Sequence, residues 1–371
     1  MHKKRFTLLS SLVILLVLLG GIGTVFAVNF YPIIIDGQVS DIEGVTENGI
    51  TTVPLRKLAE SLGCKVDFID KKIIITTNKD SVKKGLRITA LAENNNEEHK
   101  DLNKEFGFAV YIENGEDKII FDTAKAGEFL SNAEKLNIDL GEANAVVLSH
   151  AHYDHCGGLL RYFDTFGAEG KTLYVKNSFF DYSDSKYYHD TVGQKLDFTD
   201  GTPGYFYVGI DFNEKDLEER NVMIEYLDTD SVRIGKNIIL YGNFTPSNDP
   251  KMVVKEGDQY YIDAFEEEVA LAIDTNKGLV IVSGCSHNGI LNIVNTIEEK
   301  TGKKVYAVIG GFHLLDASEE KIQDTIDRFK ELGIEKIGLS HCTGPKATQM
   351  FLEQMPNETF IFETGSVFEI E

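Results

Sequence analysis

Short apolar runs that end abruptly in polar residues form the main hydrophobic pattern of the chain. The clearest runs lie at residues 145–148, 278–282, 305–309 and 337–339. Runs of this length, rich in β-branched residues, predict strands that are buried on both faces. Between them, residues 291–300 and 318–332 predict helices. This alternation of strands and helices predicts an α/β domain.

Each of these four runs leads into a segment that contains histidine. Residues 149–158, Ser-His-Ala-His-Tyr-Asp-His-Cys-Gly-Gly, follow the first run, and His287, His313 and His341 follow the others. Functional groups collect at the carboxyl ends of strands in α/β folds. We therefore predict that these histidines converge.

The segment 149–158 has the composition and spacing of a metal-binding loop. His150 and His152 are two apart in an extended segment, so they point the same way and can share one metal. Asp154 and His155 follow where the chain turns, and they can face a second metal. Imidazoles and a carboxylate suit zinc, iron or manganese. The alternative is a solvated loop, but four potential ligands in six residues after a buried strand argue against it.

The first 27 residues have the pattern of an export signal. A basic start at residues 2–5 precedes an apolar stretch, and Val25-Phe26-Ala27 offers small residues at signal-peptidase spacing. We predict a signal peptide cut after Ala27, with an uncleaved membrane anchor as the alternative. Either way we expect an exported chain, secreted or attached at the cell surface.

Charge and cysteine content narrow the class of protein. The formal net charge of -22 argues against partners such as nucleic acid or an anionic membrane surface. The cysteines are Cys64, Cys156, Cys285 and Cys342, and three of them lie close to a candidate ligand histidine. No Cys-x-x-Cys pair occurs, so we expect no disulfide framework despite the predicted export.

Residues 31–84 predict a small α+β module. The predicted helix starts at Pro54 and ends at Gly63, with strands on either side. The segments 35–37, 53–56, 58–60 and 62–66 resemble the copper amine oxidase N-terminal domain. That resemblance implies a packing module, a spacer or a unit for cell-surface association. Copper is not expected, because residues 31–84 contain no histidine and no methionine.

The His-x-His-x-Asp-His pattern of residues 150–155 resembles the metallo-β-lactamase superfamily. Four further segments, 121–123, 284–290, 310–314 and 341–344, narrow the resemblance to its dihydropteroate-synthase-like branch. That branch includes 7,8-dihydropterin-6-methyl-4-(β-D-ribofuranosyl)aminobenzene 5′-phosphate synthase. The resemblance covers residues 86–371. It implies an αββα sandwich over residues 85–371, with metal at the edge of two sheets and hydrolysis by a metal-bound hydroxide.

The resemblance also implies roles for the candidate site residues. His150, His152 and His287 would hold one divalent metal ion, and a second would be held by Asp154, His155 and His341. Zinc is expected ahead of iron or manganese.

Four residues have further expected roles. Asp122 would orient a ligand residue by contacting that residue and not the metal itself. Cys285 stands where many relatives carry a bridging aspartate, so it is either a ligand or a neighbour. Asp154 would also orient water or protonate the leaving group. His313 is a candidate catalytic proton donor or substrate contact, or else a structural histidine in a glycine turn.

Three features depart from the family pattern or extend it. The usual third-motif histidine has no obvious counterpart between residues 160 and 280, so His287 would supply it. Phe106 and Ala124 replace residues common in the family, and we expect neither to touch the metal loop. Residues 177–222, rich in aromatic and acidic side chains, predict an insertion that covers the mouth of the site.

Three functions are compatible with these observations. The first is an exported metal-dependent hydrolase acting on a small ester, phosphoester or lactone, with an anionic small molecule as substrate. The second is a transferase of the dihydropterin synthase type. The third is a surface-binding or sensing protein with a vestigial metal site.

Overall fold

The computed structural model describes residues 29–35, 38–47, 50–61, 64–69, 72–77, 85–189 and 204–371. The predicted signal peptide or anchor lies outside these residues. The chain divides into two compact units, residues 1–80 and 81–371. Within the described ranges, no helix combines the length and the apolar character that crossing a membrane requires.

The smaller unit consists of two sheets and one helix. Strands and helices are numbered along the chain. One sheet has the order β1 (Asn29–Ile35), β2 (Gln38–Glu47), β3 (Ile50–Thr52). Helix α1 (Leu55–Ser61) follows directly after Pro54 and buries Ala59. Strands β4 (Cys64–Ile69) and β5 (Lys72–Thr77) form an antiparallel pair.

The larger unit contains two seven-stranded sheets. In spatial order the first is β13 (Met223–Leu227), β10 (Thr172–Lys176), β9 (Ala145–Val147), β8 (Asp117–Phe121), β7 (Ala109–Asn114), β6 (Leu86–Ala92), β23 (Val367–Ile370). The second is β14 (Ser231–Gly235), β15 (Ile238–Tyr241), β18 (Ala270–Thr275), β19 (Gly278–Ser283), β20 (Val305–Gly311), β21 (Lys336–Ser340), β22 (Thr359–Ile361). Strands β8, β9, β10 and β13 run parallel to one another, as do β19 to β22.

Three apolar layers hold this unit together. The central layer lies between the sheets and joins residues such as Val110 and Phe121 of the first to Val282 and Ile309 of the second. A second layer packs helices α2 (Glu128–Lys135) and α4 (Leu159–Phe166) on the outer face of the first sheet. A third packs α6 (Ile290–Thr301), α7 (Glu319–Leu332) and α8 (Pro345–Gln354) on the second sheet. The predicted αββα sandwich is confirmed.

The helices follow from their apolar spacing. In α6, Ile290, Ile293, Val294 and Ile297 recur at helical spacing and are all buried. Burying each such side chain stabilises the fold by about 1.5–3 kcal/mol. Gly302, in a left-handed conformation, ends the helix.

Helix α2 begins at Glu128, four residues after Ala124. Ala124 and Gly127 both have positive φ, at 52° and 116°, which a right-handed helix does not allow. Glu105 accepts hydrogen bonds from the backbone N–H groups of Gly127 (3.3 Å) and Glu128 (3.1 Å). These bonds satisfy donors that the first helical turn leaves free.

A four-stranded sheet, here called the lid sheet, is formed by segments from both sides of β13 to β15. Its order is β12 (Tyr205–Tyr207), β11 (Lys186–His189), β16 (Met252–Glu256), β17 (Gln259–Ile262). The insertion predicted at 177–222 supplies two of these strands. The other two come from residues 252–262, a segment to which the sequence pattern assigned no element. Short helix α5 (Glu214–Glu218) also lies in the insertion.

Candidate metal centre

The loops after β9, β19, β20 and β21 meet at one edge of the sandwich. The loop after β9 turns into the short helix α3 (Tyr153–Cys156), which places Asp154 and His155 in a turn. The rings of His150 and His287 have centroids 4.7 Å apart, and those of His155 and His341 are 5.0 Å apart. Histidines separated by up to 191 residues in the sequence therefore lie side by side.

Two groups of buried residues bring potential ligand atoms together, and within each group these atoms all lie within 4.8 Å of one another. One contains His150, Cys285 and His287, and the other contains His155, Cys285 and His341. Four of the predicted ligand histidines are thus divided between two groups, and Cys285 belongs to both. His155 Nε2 is 3.1 Å from the Cys285 sulfur.

The other two predicted ligands lie beside these groups. His152 Nδ1 is 3.1 Å from His150 Nε2. Asp154 Oδ2 is 3.1 Å from His341 Nε2 and 3.9 Å from His155 Nε2.

The donors have the character that a divalent metal requires. His152 Nε2 and both ring nitrogens of His287 are buried without a hydrogen-bond partner. Burial lowers the pKa of His150, His152 and His287 well below its usual value, and neighbouring positive groups lower it further. Neutral imidazoles are the form that binds metal. The residues therefore fit a bound divalent ion, with imidazole and thiolate suited to zinc.

Asp154 and His341 attract each other across the second group. Burial alone would raise the pKa of Asp154, but His155 and His341 hold it well below its usual range. Burial lowers the pKa of His341, but the hydrogen bond with Asp154 outweighs it and raises that pKa to about 9. Asp154 is therefore a carboxylate, which is its ligand form.

Asp122 orients two ligands from behind. It is fully buried, and its Oδ2 accepts hydrogen bonds from His155 Nδ1 (2.6 Å) and the Ser149 hydroxyl (2.7 Å). Its Oδ1 accepts from the Ser149 backbone N–H at 2.7 Å. Ser149 Oγ in turn lies 2.9 Å from His150 Nδ1. One carboxylate is therefore connected to a ring in each group, directly to His155 and through Ser149 to His150.

We expect Asp122→Asn to weaken zinc binding by about 10–100-fold, the usual effect of removing an orienting carboxylate. Asparagine keeps the size but replaces one carboxylate oxygen by an NH₂ donor, so either the Ser149 backbone N–H or the pair formed by His155 and the Ser149 hydroxyl loses its acceptor. Competition with a chromophoric chelator measures the affinity. Asp139→Asn is the matched control, because Asp139 only caps a helical turn at Leu140–Glu142 and asparagine caps equally well. Equal affinities for Asp122→Asn and wild type would rule out the orienting role.

Two buried glutamates accept hydrogen bonds from the backbones of the loops that carry His287 and His341. Neither glutamate belongs to the sequence motifs described above. Glu93 Oε1 accepts from the His341 backbone N–H at 2.7 Å. The two carboxylate oxygens of Glu268 accept from the backbone N–H groups of His287 (2.6 Å) and Asn288 (2.7 Å). Burial raises the pKa of Glu268 to about 8. Glu93 ends β6 and Glu268 precedes β18, so a charged residue at a strand end was the available sequence signal.

Phe106 contacts the metal centre, so the expectation that it would not is wrong. Its ring lies edge-on to His341, with centroids 5.3 Å apart, and stacks on Tyr153 at 6.3 Å. The contact arises because the Phe108 backbone N–H donates to the Asp154 carbonyl at 3.2 Å. Gly107, with φ 125°, allows this close approach, since a Cβ there would collide with that same carbonyl oxygen.

His313 lies beside the ligand groups and faces the cavity. Its ring is 4.3 Å from that of His287, and its Nδ1 is buried without a partner. Its Nε2 is 3.4 Å from Asp249 Oδ2. Burial lowers its pKa, but the neighbouring Asp249 and Cys342 outweigh this and raise it to about 9. The position suits a substrate contact, and the Asp249 pair also serves to hold the turn.

A cavity of about 1130 Å³ opens over the centre. The ligand residues among its lining are His152, Asp154, Cys285, His287 and His341. Lid-sheet residues Tyr188, Phe206 and Tyr207 form part of its wall. Charged lining residues outside the ligand set carry both signs: Lys251, Lys321 and His313, and Asp249, Asp316 and Asp324.

An ion pair and a hydrogen bond fasten the lid sheet to the loop that bears His313. Lys251 Nζ is 2.8 Å from Asp316 Oδ2, and the Tyr188 hydroxyl donates to the same oxygen at 3.2 Å. These three residues all line the cavity, so the lid sheet and the His313 loop are joined within its wall.

Known proteins are similar in sequence to most of this chain. A sequence profile described as the metallo-beta-lactamase superfamily matches residues 102–223. The 7,8-dihydropterin-6-methyl-4-(beta-D-ribofuranosyl)-aminobenzene-5'-phosphate synthase of Methanocaldococcus jannaschii is 33% identical over 301 residues, 76% of this chain and 96% of that protein. An uncharacterised protein of the same organism is 29% identical over 259 residues, 68% of this chain and 89% of that protein.

A solved structure extends the comparison. It is Tm1679, described as a metal-dependent hydrolase of the beta-lactamase superfamily. It is 30% identical, with a TM-score of 0.63, and the match covers 77% of this chain and 99% of that chain.

Proposed function

The chain belongs to the metallo-beta-lactamase superfamily, and from this premise we propose that it is a metal-dependent hydrolase of a small ester, phosphoester or lactone. The observation that carries the proposal is the set of buried, unpartnered imidazole nitrogens around Cys285, at the floor of a cavity of about 1130 Å³. A cavity of this size accommodates a small molecule. The name of the similar structure Tm1679 supports the same reaction class.

Two metal positions form part of the proposal. His150, Cys285 and His287 would hold one ion, and His155, Cys285 and His341 the other, with His152 and Asp154 completing the ligand set. Bound divalent ions would supply Lewis acidity and lower the pKa of a bound water to about 7.

The remaining roles belong to the side chains of the chain itself. Asp154 presents a carboxylate to the cavity and orients the attacking water through a hydrogen bond. His313 has an unpartnered Nδ1 and lies 4.3 Å from the His287 ring, where it can donate a hydrogen bond to the leaving oxygen. Phe106, Tyr188 and Phe206 line the cavity and exclude water from the reacting groups.

A transferase of the dihydropterin synthase type is the second candidate, because the Methanocaldococcus jannaschii synthase is 33% identical over nearly its whole length. In such a reaction a pterin carbon would be attacked as pyrophosphate leaves. The export pattern of residues 1–27 favours the hydrolase, because the assembly of pterin cofactors is a cytoplasmic chemistry. We propose accordingly that the chain acts outside the cytoplasm.

Parallel assays on the purified full chain separate the two candidates. We expect bound metal and turnover of bis-p-nitrophenyl phosphate or of a member of a panel of p-nitrophenyl esters and lactones. The second assay measures pterin-dependent release of pyrophosphate. Pyrophosphate release without hydrolysis would select the transferase. Bound metal with neither activity would overturn both candidates and favour a binding or sensing protein.

A further inference from the structure

His287 differs from His150, His155 and His341 in how its ring is held. A histidine that binds metal normally donates its second ring N–H to an oxygen, which fixes the ring. His155 has Asp122, His150 has Ser149, and His341 Nδ1 lies 3.1 Å from Asn94 Oδ1. Both ring nitrogens of His287 lack any such partner. Its orientation therefore needs another source.

Phe265 provides a flat contact over the whole His287 ring. The two rings are stacked, with centroids 3.9 Å apart and planes within 5° of each other. Phe265 also meets the His152 ring edge-on at 5.3 Å. It is 1% exposed and has φ 49°, a conformation that costs energy for a bulky residue. Surrounding contacts must hold it there.

Lys186, on strand β11 of the lid sheet, supplies those contacts. Its Nζ lies over the Phe265 ring, 4.7 Å from the centroid, within the range of a cation–π interaction. The same atom pairs with Asp263 Oδ2 at 2.5 Å and with Glu267 Oε1 at 2.8 Å. Asp263 Oδ1 accepts the Phe265 backbone N–H at 2.9 Å. The ion pair thus fixes both the ring and the backbone of Phe265.

We propose that Phe265, held by Lys186, is the positioning residue for His287, and that aromatic stacking takes the place of the missing hydrogen bond. A ring fixed by stacking leaves both nitrogens free of competing partners, so either can face the metal without breaking a bond. The lid sheet therefore helps to build the metal centre that it covers. This inference rests on the metal binding in the proposed function, and it does not depend on the substrate.

The test compares three substitutions of Phe265 in the full chain, with zinc affinity measured by chelator competition. Phe265→Leu and Phe265→Met keep an apolar side chain but remove the stacking ring, and we expect both to weaken zinc binding by about 10–100-fold. Phe265→Tyr keeps the ring and should retain affinity within about threefold. Visible absorption bands of the Co²⁺-substituted protein should shift in the Leu and Met variants and stay unchanged in the Tyr variant.

Phe329→Leu is the control for loss of an aromatic side chain from the core. Phe329 is fully buried on α7, away from the ligand groups, so this variant should lose thermal stability while keeping zinc affinity and the Co²⁺ spectrum. Wild-type affinity in Phe265→Leu, or equal weakening in the Tyr and Leu variants, would overturn the inference. A wild-type protein that binds zinc but hydrolyses nothing would overturn the hydrolase proposal alone. A wild-type protein that binds no metal would overturn both.

Discussion

Replacing Asp154 by alanine is expected to lower turnover by more than about 10³-fold, roughly 4 kcal/mol of transition-state stabilisation. The carboxylate lies 3.1 Å from His341 Nε2 and is the anionic oxygen donor predicted for the second ligand group. Without it, that group keeps only neutral donors and the Cys285 sulfur. We therefore expect the metal content to fall as well. Elemental analysis and ester turnover on the same samples measure both effects.

Asp101→Ala is the matched control, because Asp101 is exposed and its side chain takes no part in the centre. It should keep wild-type metal content and turnover. If Asp154→Ala also kept both, Asp154 could not be a ligand or a water-orienting group, and the metal assignment would have to be withdrawn.

Lys186→Met is expected to lower the free energy of unfolding by about 3–5 kcal/mol, the usual cost of removing one partner from a buried ion pair. Lys186 is 2% exposed and contacts both Asp263 and Glu267. Methionine fills similar space but leaves two buried carboxylates without a cation. Chemical denaturation of the metal-free protein measures the change, which separates it from any effect of metal binding.

The difference in unfolding free energy between Lys186→Met and the wild type should depend on pH. Burial lowers the pKa of Lys186, but Glu267 and Asp263 outweigh burial and raise it. A raised lysine pKa contributes stability that is complete below the unfolded value of about 10.4 and is lost as pH rises through the folded value. At neutral pH the contribution is therefore complete.

Lys346→Met controls for the loss of a lysine as such. Lys346 is more than half exposed and pairs with Glu319 at 3.3 Å. Exposed pairs of this kind contribute about 0–1 kcal/mol. A loss in Lys186→Met no larger than that of Lys346→Met would show that the buried cation is not needed for stability.

The sequence predicted the parts of the centre that local patterns encode. The four apolar runs form strands, and a histidine lies in the loop that follows each of them. The end of a strand determines where the next loop begins, so local patterns were enough to bring these histidines to one edge. The orienting role of Asp122 was also accessible, since the residue ends a strand adjacent to the metal loop. His287 lies against His150, as the absence of a histidine in the usual third motif led us to expect.

Long-range contacts account for what the sequence could not predict. Glu93 and His341 are 248 residues apart, and Lys186 and Glu267 are 81 apart, so no local pattern links them. The lid sheet combines β11 and β12, which precede β13, with β16 and β17, which follow β15. Only the insertion that carries β11 and β12 was expected. The sequence led us to expect Phe106 away from the metal loop. Its contact there depends on the long-range hydrogen bond between the Phe108 N–H and the Asp154 carbonyl, which no local pattern predicts.

The position of Cys285 has a consequence for how the centre fills. Its sulfur belongs to both ligand groups, so in the proposed two-metal centre an ion in either group would deprotonate and orient a donor that the other group also uses. The two positions would therefore be coupled in free energy, and each would change the affinity of the other by the same factor. We expect a metal titration to show two binding steps that are not independent of each other.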